Sequence, residues 1–589
     1  MMILDQAKAD SIKILGGAGI SASPADIVFP PDSKMGDLSL PLFALAKERK
    51  VAPGALAQEI IKKLKPHGMV ERIEPAGPYL NFFLKSGEIA ELLLNLIEKE
   101  KERYGGSKMG AKKKYLVEFS CANPMKAFHL GHLRNTITGE SVSRILENAG
   151  YNVLRINYQG DVGMHIAKSL WGVQKLHQEF EDMLKKALED QVAFLGRAYA
   201  YGAQAFENDE TAKQEILACN KKIYAKDESV EELYDITRAW SLEKFETIYD
   251  RLDTRFDEFY FESEMWERGM EIVKEFMKKG VFKKGDGAII FPGSEYGLHD
   301  RVFITTEGNP TYEAKDLALS ERRHTKHHPD KIIHVVGKEQ TEYFKVVFKA
   351  IEYTLLESKG KEHHLPGGFL QLKEGKMSSR TGNVVLAEAL LDDARQAVIE
   401  IMKEHEVAKR EEVVNAVSDA TVKYAILKNH VSADMLFDMK ESVSLSGDSG
   451  PYLLYIVARI KSILRKANAG GVILSGGQGP KSKDLTPRSR NGVRFLASLE
   501  MTSSERSLIL TLARFPDATE EAAREYDPSR IAHYLFDLAQ TFNAFYHDCP
   551  VLQAEDAAVR EFRLHLIGAV ATVMSKGLFL LGIKTVEEM

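Results

Sequence analysis

The chain has 589 residues, of which 44% are hydrophobic and 28% are charged. This length corresponds to roughly three or four domains, and the composition is that of a soluble globular protein. Only three cysteines occur, Cys121, Cys219 and Cys549, and their wide separation argues against a disulfide framework and a cysteine zinc site.

The net charge of −6 neither supports nor excludes a nucleic-acid partner, because an acidic protein can carry a local basic face. No apolar run reaches the roughly 18 residues of a membrane span. The N-terminus carries acidic residues that a targeting presequence would avoid. We therefore expect a cytoplasmic protein with no membrane segment.

Residues 1–108 are predicted to form a separate small α/β domain. Residues 36–46 lead into a helix, residues 51–61 give a second helix, and residues 74–84 alternate like a strand after a turn. The charged stretch 98–114 contains two adjacent glycines and is interpreted as the linker to the next domain.

Two histidines lie in a Pro/Gly loop between a predicted strand and a predicted helix. Residues 115–119 form a short apolar run typical of a buried strand, and residues 133–148 have the apolar spacing of a helix. A helix N-terminus at this point offers free N–H groups and a positive dipole end to phosphate. Gly131, between His129 and His132, removes a Cβ that would block a base or ribose.

Residues 109–400 alternate strands and helices, which predicts a parallel doubly wound sheet. We expect strands at 115–119, 151–158, 287–291, 302–305, 331–336 and 368–372. A long helical passage at about 166–258 interrupts them and is interpreted as an insertion. From about residue 396 onwards the pattern predicts helix after helix, so that residues 401–589 form an all-α domain.

A second loop carries a lysine among small hydroxyl residues at positions 376–379, after the strand predicted at 368–372. Lys376 can supply positive charge to phosphates in a transition state, while Ser378, Ser379 and backbone N–H groups supply hydrogen bonds.

His129, Gly131 and His132 resemble the first signature of class I aminoacyl-tRNA synthetases, and residues 376–379 resemble the second, usually Lys-Met-Ser-Lys-Ser. Ser379 stands in place of the second lysine of that pattern. Lys126 is placed to supply the missing charge from the opposite side. The same replacement is familiar in arginyl-tRNA synthetases, which the chain resembles specifically.

Further segments extend this resemblance over nearly the whole chain, in the order expected for the family. Tyr312 and Asp316 match its Tyr-x-x-x-Asp helix, and Gln340 matches its glutamine at a strand end. Residues 445–459 and 526–552 are similar to its anticodon-binding domain. Residues 36–37 and 77–78 are similar to its added N-terminal module.

The resemblance implies an α/β Rossmann-type doubly wound parallel sheet as the catalytic domain, with a helical insertion, a small α/β N-terminal domain and an all-α C-terminal anticodon-binding domain. It implies that arginine is activated with ATP to arginyl-adenylate and then transferred to the 3′-terminal ribose of its tRNA. Family resemblance further implies that activation waits for bound tRNA, that charging occurs at the 2′-hydroxyl, and that the protein is a monomer.

The predicted site has three parts. For catalysis, the resemblance and the chemistry single out Lys126, His129, His132 and Lys376. For ATP binding, they single out Phe128, His129, Gly131, His132, Lys376, Met377, Ser378 and Ser379. For arginine binding, they single out Glu118, Asn123, Tyr312, Asp316 and Gln340.

The expected chemistry of the arginine pocket agrees with these residues. A guanidinium has five donors in a planar fork and is best held by carboxylates. Tyr312 and Asp316 are four apart and share a helix face. We expect Asp316 to bind the guanidinium, Glu118 and Asn123 to bind the α-amino end, and Tyr312 and Gln340 to line the pocket.

Two alternatives stay open at this point. The first is a class I synthetase for another amino acid, such as glutamine, glutamate or cysteine. Cysteine enzymes bind zinc through cysteines, which do not cluster here, and the other two would not need an acidic pocket. The second is a non-catalytic synthetase paralogue that only binds RNA, against which the intact histidine and lysine motifs argue.

The histidine pairs 327–328 and 363–364 lack the spacing of zinc ligands, and we expect them to be solvated surface residues. No protein-bound zinc is expected. Magnesium is expected to arrive with ATP rather than in a protein cage.

Overall fold

The computed structural model describes residues 3–30, 35–373, 386–403, 407–469 and 501–589. The predicted fold class is confirmed: a parallel sheet with helices on both faces follows a small α/β module and precedes a helical region.

The N-terminal module is a three-stranded antiparallel sheet in the order β1-β3-β2, packed against helices. Residues 74–84 form a hairpin around Gly77 and Pro78 rather than a single strand. The elements are α1 (Ile3–Gly17), β1 (Leu38–Pro41), α2 (Phe43–Arg49), α3 (Pro53–Ile60), β2 (Val70–Ala76), β3 (Tyr79–Leu84) and α4 (Ser86–Glu100).

The central sheet has five parallel strands in the order β11-β10-β4-β5-β6. The strands are β4 (Lys114–Glu118), β5 (Asn152–Gln159), β6 (Glu258–Phe261), β10 (Lys331–Gly337) and β11 (Glu362–Gly367). The helices around them are α5 (Leu130–Asn148), α11 (Trp266–Lys278), α12 (Tyr312–His327) and α13 (Thr341–Thr354).

Alternate residues of β4 explain the two layers of helices. Val117 packs with Val142 and Leu146 of α5 on one face. Leu116 packs on the other face, in a cluster with residues of α11, α12 and α13. Because both faces of β4 are buried, its residues 115–117 are apolar without alternation.

Between β5 and β6 the chain runs through helices only. They are α6 (Met164–Lys175), α7 (His177–Met183), α8 (Leu188–Asn208), α9 (Glu210–Ala225) and α10 (Glu228–Arg251).

Three of the expected strands lie outside the central sheet, which corrects the prediction. β7 (Lys283–Gly285), β8 (Ala288–Phe291) and β9 (Arg301–Ile304) form a separate antiparallel sheet. β12 (Leu370–Leu372) pairs with β13 (Met435–Phe437) in another small sheet. The sequence prediction also missed β6 and β11, both of which belong to the central sheet.

Within the described residues the C-terminal region is helical, as predicted from 396 onwards, except for the short strand β13, which the prediction of an all-α domain at 401–589 missed. Its elements are α14 (Ala387–Ile401), α15 (Arg410–Leu427), α16 (Met439–Ser442), α17 (Gly450–Ala469), α18 (Ser503–Ala513), α19 (Phe515–Glu525), α20 (Ser529–Asp548) and α21 (Ala557–Leu580). Within the described residues, α21 alone is long and apolar enough to pass a test for a membrane span, and 61% of its apolar window is buried against the rest of the protein.

The close contact between α5 and β4 depends on a glycine. A Cβ at Gly139 would lie 2.1 Å from Cγ of Phe119, in a fully buried position. We predict that Gly139→Ala lowers the apparent midpoint of thermal unfolding by several degrees, because overpacking a core costs about 1–3 kcal/mol.

Gly196→Ala, in α8, is the matched control, because a Cβ there has no atom within 4 Å. Its midpoint should stay at or above that of the wild type, since alanine favours helix. A Gly139→Ala midpoint equal to the wild-type value would contradict this account of the contact.

Candidate functional site

A cleft of about 720 Å³ opens at the carboxyl ends of the parallel strands, where β4 separates β5 and β6 from β10 and β11. Ligands of open α/β sheets bind at this position, where the strand order reverses. Eight predicted site residues line the cleft: Glu118, Asn123, His129, Gly131, His132, Tyr312, Asp316 and Gln340.

The loop between β4 and α5, residues 119–129, is called the histidine loop below, and it has an unusual backbone conformation. Ser120, Cys121 and Met125 have φ values of 69°, 54° and 58°, which non-glycine residues rarely adopt. Contacts from α10 stabilise the loop: Ser241 Oγ accepts from Met125 N–H at 2.9 Å, and Tyr249 OH lies 3.1 Å from Ser120 Oγ. The helices between β5 and β6 therefore support the histidine loop directly.

The two histidines stack at the N-terminus of α5, with ring centroids 3.7 Å apart. His129 is the N-cap, and its Nδ1 accepts from the N–H groups of Gly131 at 3.1 Å and His132 at 3.4 Å. His132 Nδ1 in turn accepts from the N–H of His129 at 3.4 Å. This capping explains why α5 begins at Leu130, three residues before the predicted start.

The same hydrogen bonds fix the tautomer of both rings. Because each Nδ1 accepts a backbone N–H, the proton of each neutral imidazole is on Nε2. Burial, followed by neighbouring positive charge, lowers the pKa of His129 and lowers that of His132 well below its usual value. Both histidines are thus neutral Nε2–H donors at pH 7.

Lys126 lies near this pair, although it does not line the cleft. Its ammonium is 5.8 Å from the ring centroid of Tyr199, and its charge contributes to lowering the pKa of both histidines. Phe128 is buried behind His132, where it packs against Phe245 and Tyr249.

The predicted residues Lys376, Met377, Ser378 and Ser379 lie outside the described residues. The chain that follows them is beside the histidine loop: Leu386 forms a β-bridge with His129, and Ala387 N–H donates to Phe128 O at 2.9 Å. The positions of the four residues themselves stay a prediction.

The cleft also has an acidic part. Asp316 accepts from Tyr343 OH at 2.7 Å, and burial, with the charges of Glu118 and Glu262, raises its pKa to about 7. No ion pair to Asp316 is found within the described parts of the chain. Asp316 is therefore a carboxylate in position to receive a cation.

Glu118 is the last residue of β4 and is engaged by two internal cations. One carboxylate oxygen pairs with Arg323, and the other lies 2.9 Å from His334 Nδ1. The second nitrogen of His334 lies 2.8 Å from Glu362, which begins β11. Although burial opposes it, the two carboxylates raise the pKa of His334 to about 9, so this imidazole is charged.

Two further cleft residues are directly relevant to a cationic ligand. Glu262 follows β6, and its Oε2 pairs with the buried Lys315 at 2.6 Å. Asn123 Oδ1 accepts from Gly160 N–H at 3.0 Å, which leaves its second lone pair to accept from a cationic ligand.

Sequence reasoning missed Glu262, Lys315, Arg323, His334, Tyr343 and Glu362. A charged residue on a helix or at a strand end is ordinarily solvated, so their sequence patterns gave no signal. The presence of Glu262 at a strand end could have been noticed only if β6 had been predicted.

The structure also corrects the expectation for the paired histidines. His327 is buried and lies 3.0 Å from Glu258 and 3.1 Å from Tyr260 OH. His363 and His364 are half-buried on β11 rather than in a loop, and only His328 is exposed as expected. Among the described residues, no group of three His, Cys, Asp or Glu side chains is arranged to hold a metal ion.

Three family models match successive parts of the chain. Residues 3–84 match the arginyl tRNA synthetase N terminal domain, residues 92–439 match the catalytic domain of class I (R) tRNA synthetases, and residues 453–589 match the DALR anticodon binding domain.

Individual proteins match over almost the full length. An arginine–tRNA ligase of Treponema denticola is 35% identical over 584 residues, covering 96% of this chain and 95% of the relative. One of Clostridium perfringens is 33% identical over 566 residues, covering 96% of each. The structure of Thermus thermophilus arginyl-tRNA synthetase aligns over 100% of both chains, with a TM-score of 0.76 and 26% identity.

Proposed function

The chain belongs to the class I arginyl-tRNA synthetase family, and we propose that the cleft carries out the family's reaction with the residue roles that follow. The enzyme is an arginine–tRNA ligase: it activates L-arginine with ATP, releasing pyrophosphate, and transfers arginine from the adenylate to the 3′-terminal ribose of its tRNA, releasing AMP. The presence in one cleft of Asp316, which has no ion-pair partner within the described residues, and of two neutral histidine donors is the observation that supports these roles.

ATP is proposed to lie on the histidine side. The Nε2–H groups of His129 and His132 would donate to phosphate oxygens, and the N-terminus of α5 adds a positive dipole end. Gly131 leaves room for the nucleotide, and Phe128 supports the His132 ring from behind. Lys376, Met377, Ser378 and Ser379 are proposed to close on the phosphates from the other side.

Lys126 is proposed to supply the charge that Ser379 lacks. Lys126 lies in the histidine loop, where its charge contributes to lowering the pKa of both imidazoles. The attacking carboxylate and the α-phosphate form a charged transition state, so catalysis needs positioning and positive charge rather than a covalent intermediate.

Arginine is proposed to bind at the acidic part of the cleft. Asp316 would pair with the guanidinium while Tyr343 keeps the carboxylate oriented. The second lone pair of Asn123 Oδ1 and the unused lone pairs of Glu118 would accept hydrogen bonds from the α-ammonium group, with Tyr312 and Gln340 as lining residues.

The C-terminal helices are proposed to read the anticodon loop. Arg459 lies 4.4 Å from the ring centroid of Tyr546 and 5.9 Å from that of Tyr455, and a guanidinium stacked on aromatic rings is suited to unstacked bases. We propose residues 1–108 as the module that contacts the outer corner of the tRNA, 109–400 as the catalytic domain with its insertion at about 166–258, and 401–589 as the anticodon-binding part.

Magnesium is proposed to be bound by the phosphates of ATP, because it keeps several waters and prefers substrate phosphates to an all-protein site. We also propose that the enzyme is a cytoplasmic monomer, that activation requires bound tRNA, and that the 2′-hydroxyl is charged.

The first test is pyrophosphate exchange with each of the twenty amino acids, with and without the cognate tRNA. We expect exchange with arginine alone, and only when tRNA is present. Exchange without tRNA would contradict the proposed tRNA dependence. Exchange with lysine or glutamine at a comparable rate would contradict the proposed arginine pocket.

The second prediction concerns Asp316→Asn. Since the pKa of Asp316 is raised to about 7, the carboxylate becomes ionised as the pH rises through 7, and the KM for arginine should fall between pH 6 and 8. The histidines do not mask this effect, because their pKa values lie below their usual range. The Asn variant should lose this pH dependence and should raise the KM about tenfold to a hundredfold, the value of a hydrogen bond to a charged group.

Glu321→Gln is the matched control, on the exposed side of the same helix, where Glu321 pairs with Arg268. Its arginine KM should equal that of the wild type at every pH. An Asp316→Asn enzyme with wild-type arginine kinetics would refute the assignment of Asp316.

The third prediction concerns Lys126→Ala. Adenylate formation should slow by about a hundredfold, the usual loss when one group that stabilises transition-state charge is removed, while tRNA binding is retained. Single-turnover formation of arginyl-adenylate measures the first effect, and filter binding of labelled tRNA measures the second. Lys112→Ala, at an exposed position before β4, should change neither; an unchanged activation rate for Lys126→Ala would refute its role.

A further inference from the structure

Glu262 is a buried carboxylate whose two oxygens have different surroundings. Its Oε2 accepts from Lys315 Nζ at 2.6 Å. Its Oε1 is directed at Gly160, where an added Cβ would lie 3.0 Å from it and 2.9 Å from Asn123 Oδ1. No donor to Oε1 is found within the described residues, although Glu262 lines the cleft.

Lys315 is more deeply buried than a lysine normally is. Its side chain is 3% exposed, and its ammonium lies between the rings of Tyr224 and Tyr312, 5.6 Å and 5.0 Å from their centroids. Aromatic faces favour a desolvated cation. Despite burial, the Glu262 carboxylate keeps Lys315 charged by raising its pKa.

Asp316 and Lys315 are adjacent on α12, and Glu262 and Asp316 are close enough for each carboxylate charge to affect the other group. Without a cation beside it, a carboxylate at this depth would be protonated, since burial disfavours its charged form. A protonated Glu262 could not accept from a guanidinium as an anion.

We propose that Lys315 is a positioning residue for arginine recognition: it holds Glu262 with Oε1 facing the cleft, as a second anionic acceptor beside Asp316. This inference rests on the proposed function of the cleft. Two carboxylate acceptors suit the planar fork of a guanidinium, whose donors point in several directions. Lys315 already binds Oε2 of Glu262, so only Oε1 and the Asp316 carboxylate are left for the substrate. The ammonium of a lysine substrate would pair with only part of this set of acceptors.

Several other charged or titratable groups interact electrostatically with Glu262 and therefore affect its titration. They come from the loop after β5, the histidine loop, β5, α9 and α12: Asp161, Lys126, Tyr158, Tyr224, Tyr312 and Asp316. Burial raises the pKa of Glu262, and the charges of Lys315 and Lys126 lower it. Lys315 is the cation in direct contact with the carboxylate.

The test compares Lys315→Met, Lys315→Arg and the double variant Lys315→Met/Glu262→Gln with the wild type. The readout is arginine-dependent pyrophosphate exchange in the presence of tRNA, from pH 6 to pH 9. Lys315→Met should raise the arginine KM at pH 7 by about tenfold or more, the value of losing a charged acceptor, with the KM for ATP and the kcat at saturating arginine unchanged.

The pH profile separates positioning from simple loss of packing. In Lys315→Met the fall of the arginine KM with rising pH should extend to higher pH than in the wild type, because without the Lys315 cation the Glu262 carboxyl ionises at higher pH. The double variant should lose that additional dependence. Lys315→Arg should restore most of the affinity, since it keeps a cation beside Oε2.

Lys326→Met is the matched control, because Lys326 lies on the same helix in an exposed pair with Glu258; it should behave as the wild type. Thermal unfolding identifies any variant that fails to fold, and for such a variant the Lys315→Gln enzyme replaces Lys315→Met. The proposal would be overturned if the arginine KM of Lys315→Met had the wild-type pH profile. It would also be overturned if the variant lost affinity equally for arginine, ATP and tRNA. A wild-type enzyme that did not use arginine would overturn the proposed function as well.

Discussion

The buried charges of Glu118, Arg323, His334 and Glu362 join the three strands and the helix that surround the cleft. Glu118 ends β4, His334 lies within β10, Glu362 begins β11, and Arg323 is on α12. Two carboxylates and two cations balance one another, and Ser320 Oγ donates a further hydrogen bond to Glu362 at 2.7 Å. Removing one partner from such a buried set typically costs about 3–5 kcal/mol, because the remaining charge is left unpaired. The network therefore fixes the relative positions of Asp316, on the same helix as Arg323, and of the strand ends that carry the other cleft residues.

The histidine loop depends on a different support. Three of its residues have backbone angles that cost energy outside glycine, and they persist because Ser241 and Tyr249 of α10 hold the loop from the side. The helices inserted between β5 and β6 are thus part of the machinery that presents His129 and His132. A loop with fixed backbone and fixed tautomers meets phosphate without first having to reorganise, which is the basis of electrostatic catalysis.

The sequence was sufficient to predict the elements whose apolar pattern determines their structure, such as α5 and the strands β4, β5 and β10. It predicted β8 and β9 as strands but assigned them to the wrong sheet, because a short apolar run has the same composition in an antiparallel sheet as in a parallel one. It failed for β11 because Glu362, His363 and His364 are polar, and their burial depends on partners far away in the chain. The signature residues were found by resemblance, whereas Glu262, Lys315 and His334 acquire their significance only through contacts in three dimensions.

The charge pattern of the cleft is compatible with the proposed binding of a cationic substrate, although the cleft is rich in internal cations. Glu118 is balanced by Arg323 and His334, Glu262 by Lys315, and Glu313 by Arg301. Within the described residues Asp316 has a hydrogen bond but no ion-pair partner, so its carboxylate has no compensating cation when it is ionised. In the proposed arginine site a guanidinium would supply that cation, whereas a neutral analogue such as citrulline would leave Asp316 either charged and unpaired or protonated. His129 and His132 are neutral donors, so in the proposed ATP site they would bind phosphate without competing with arginine for the carboxylates.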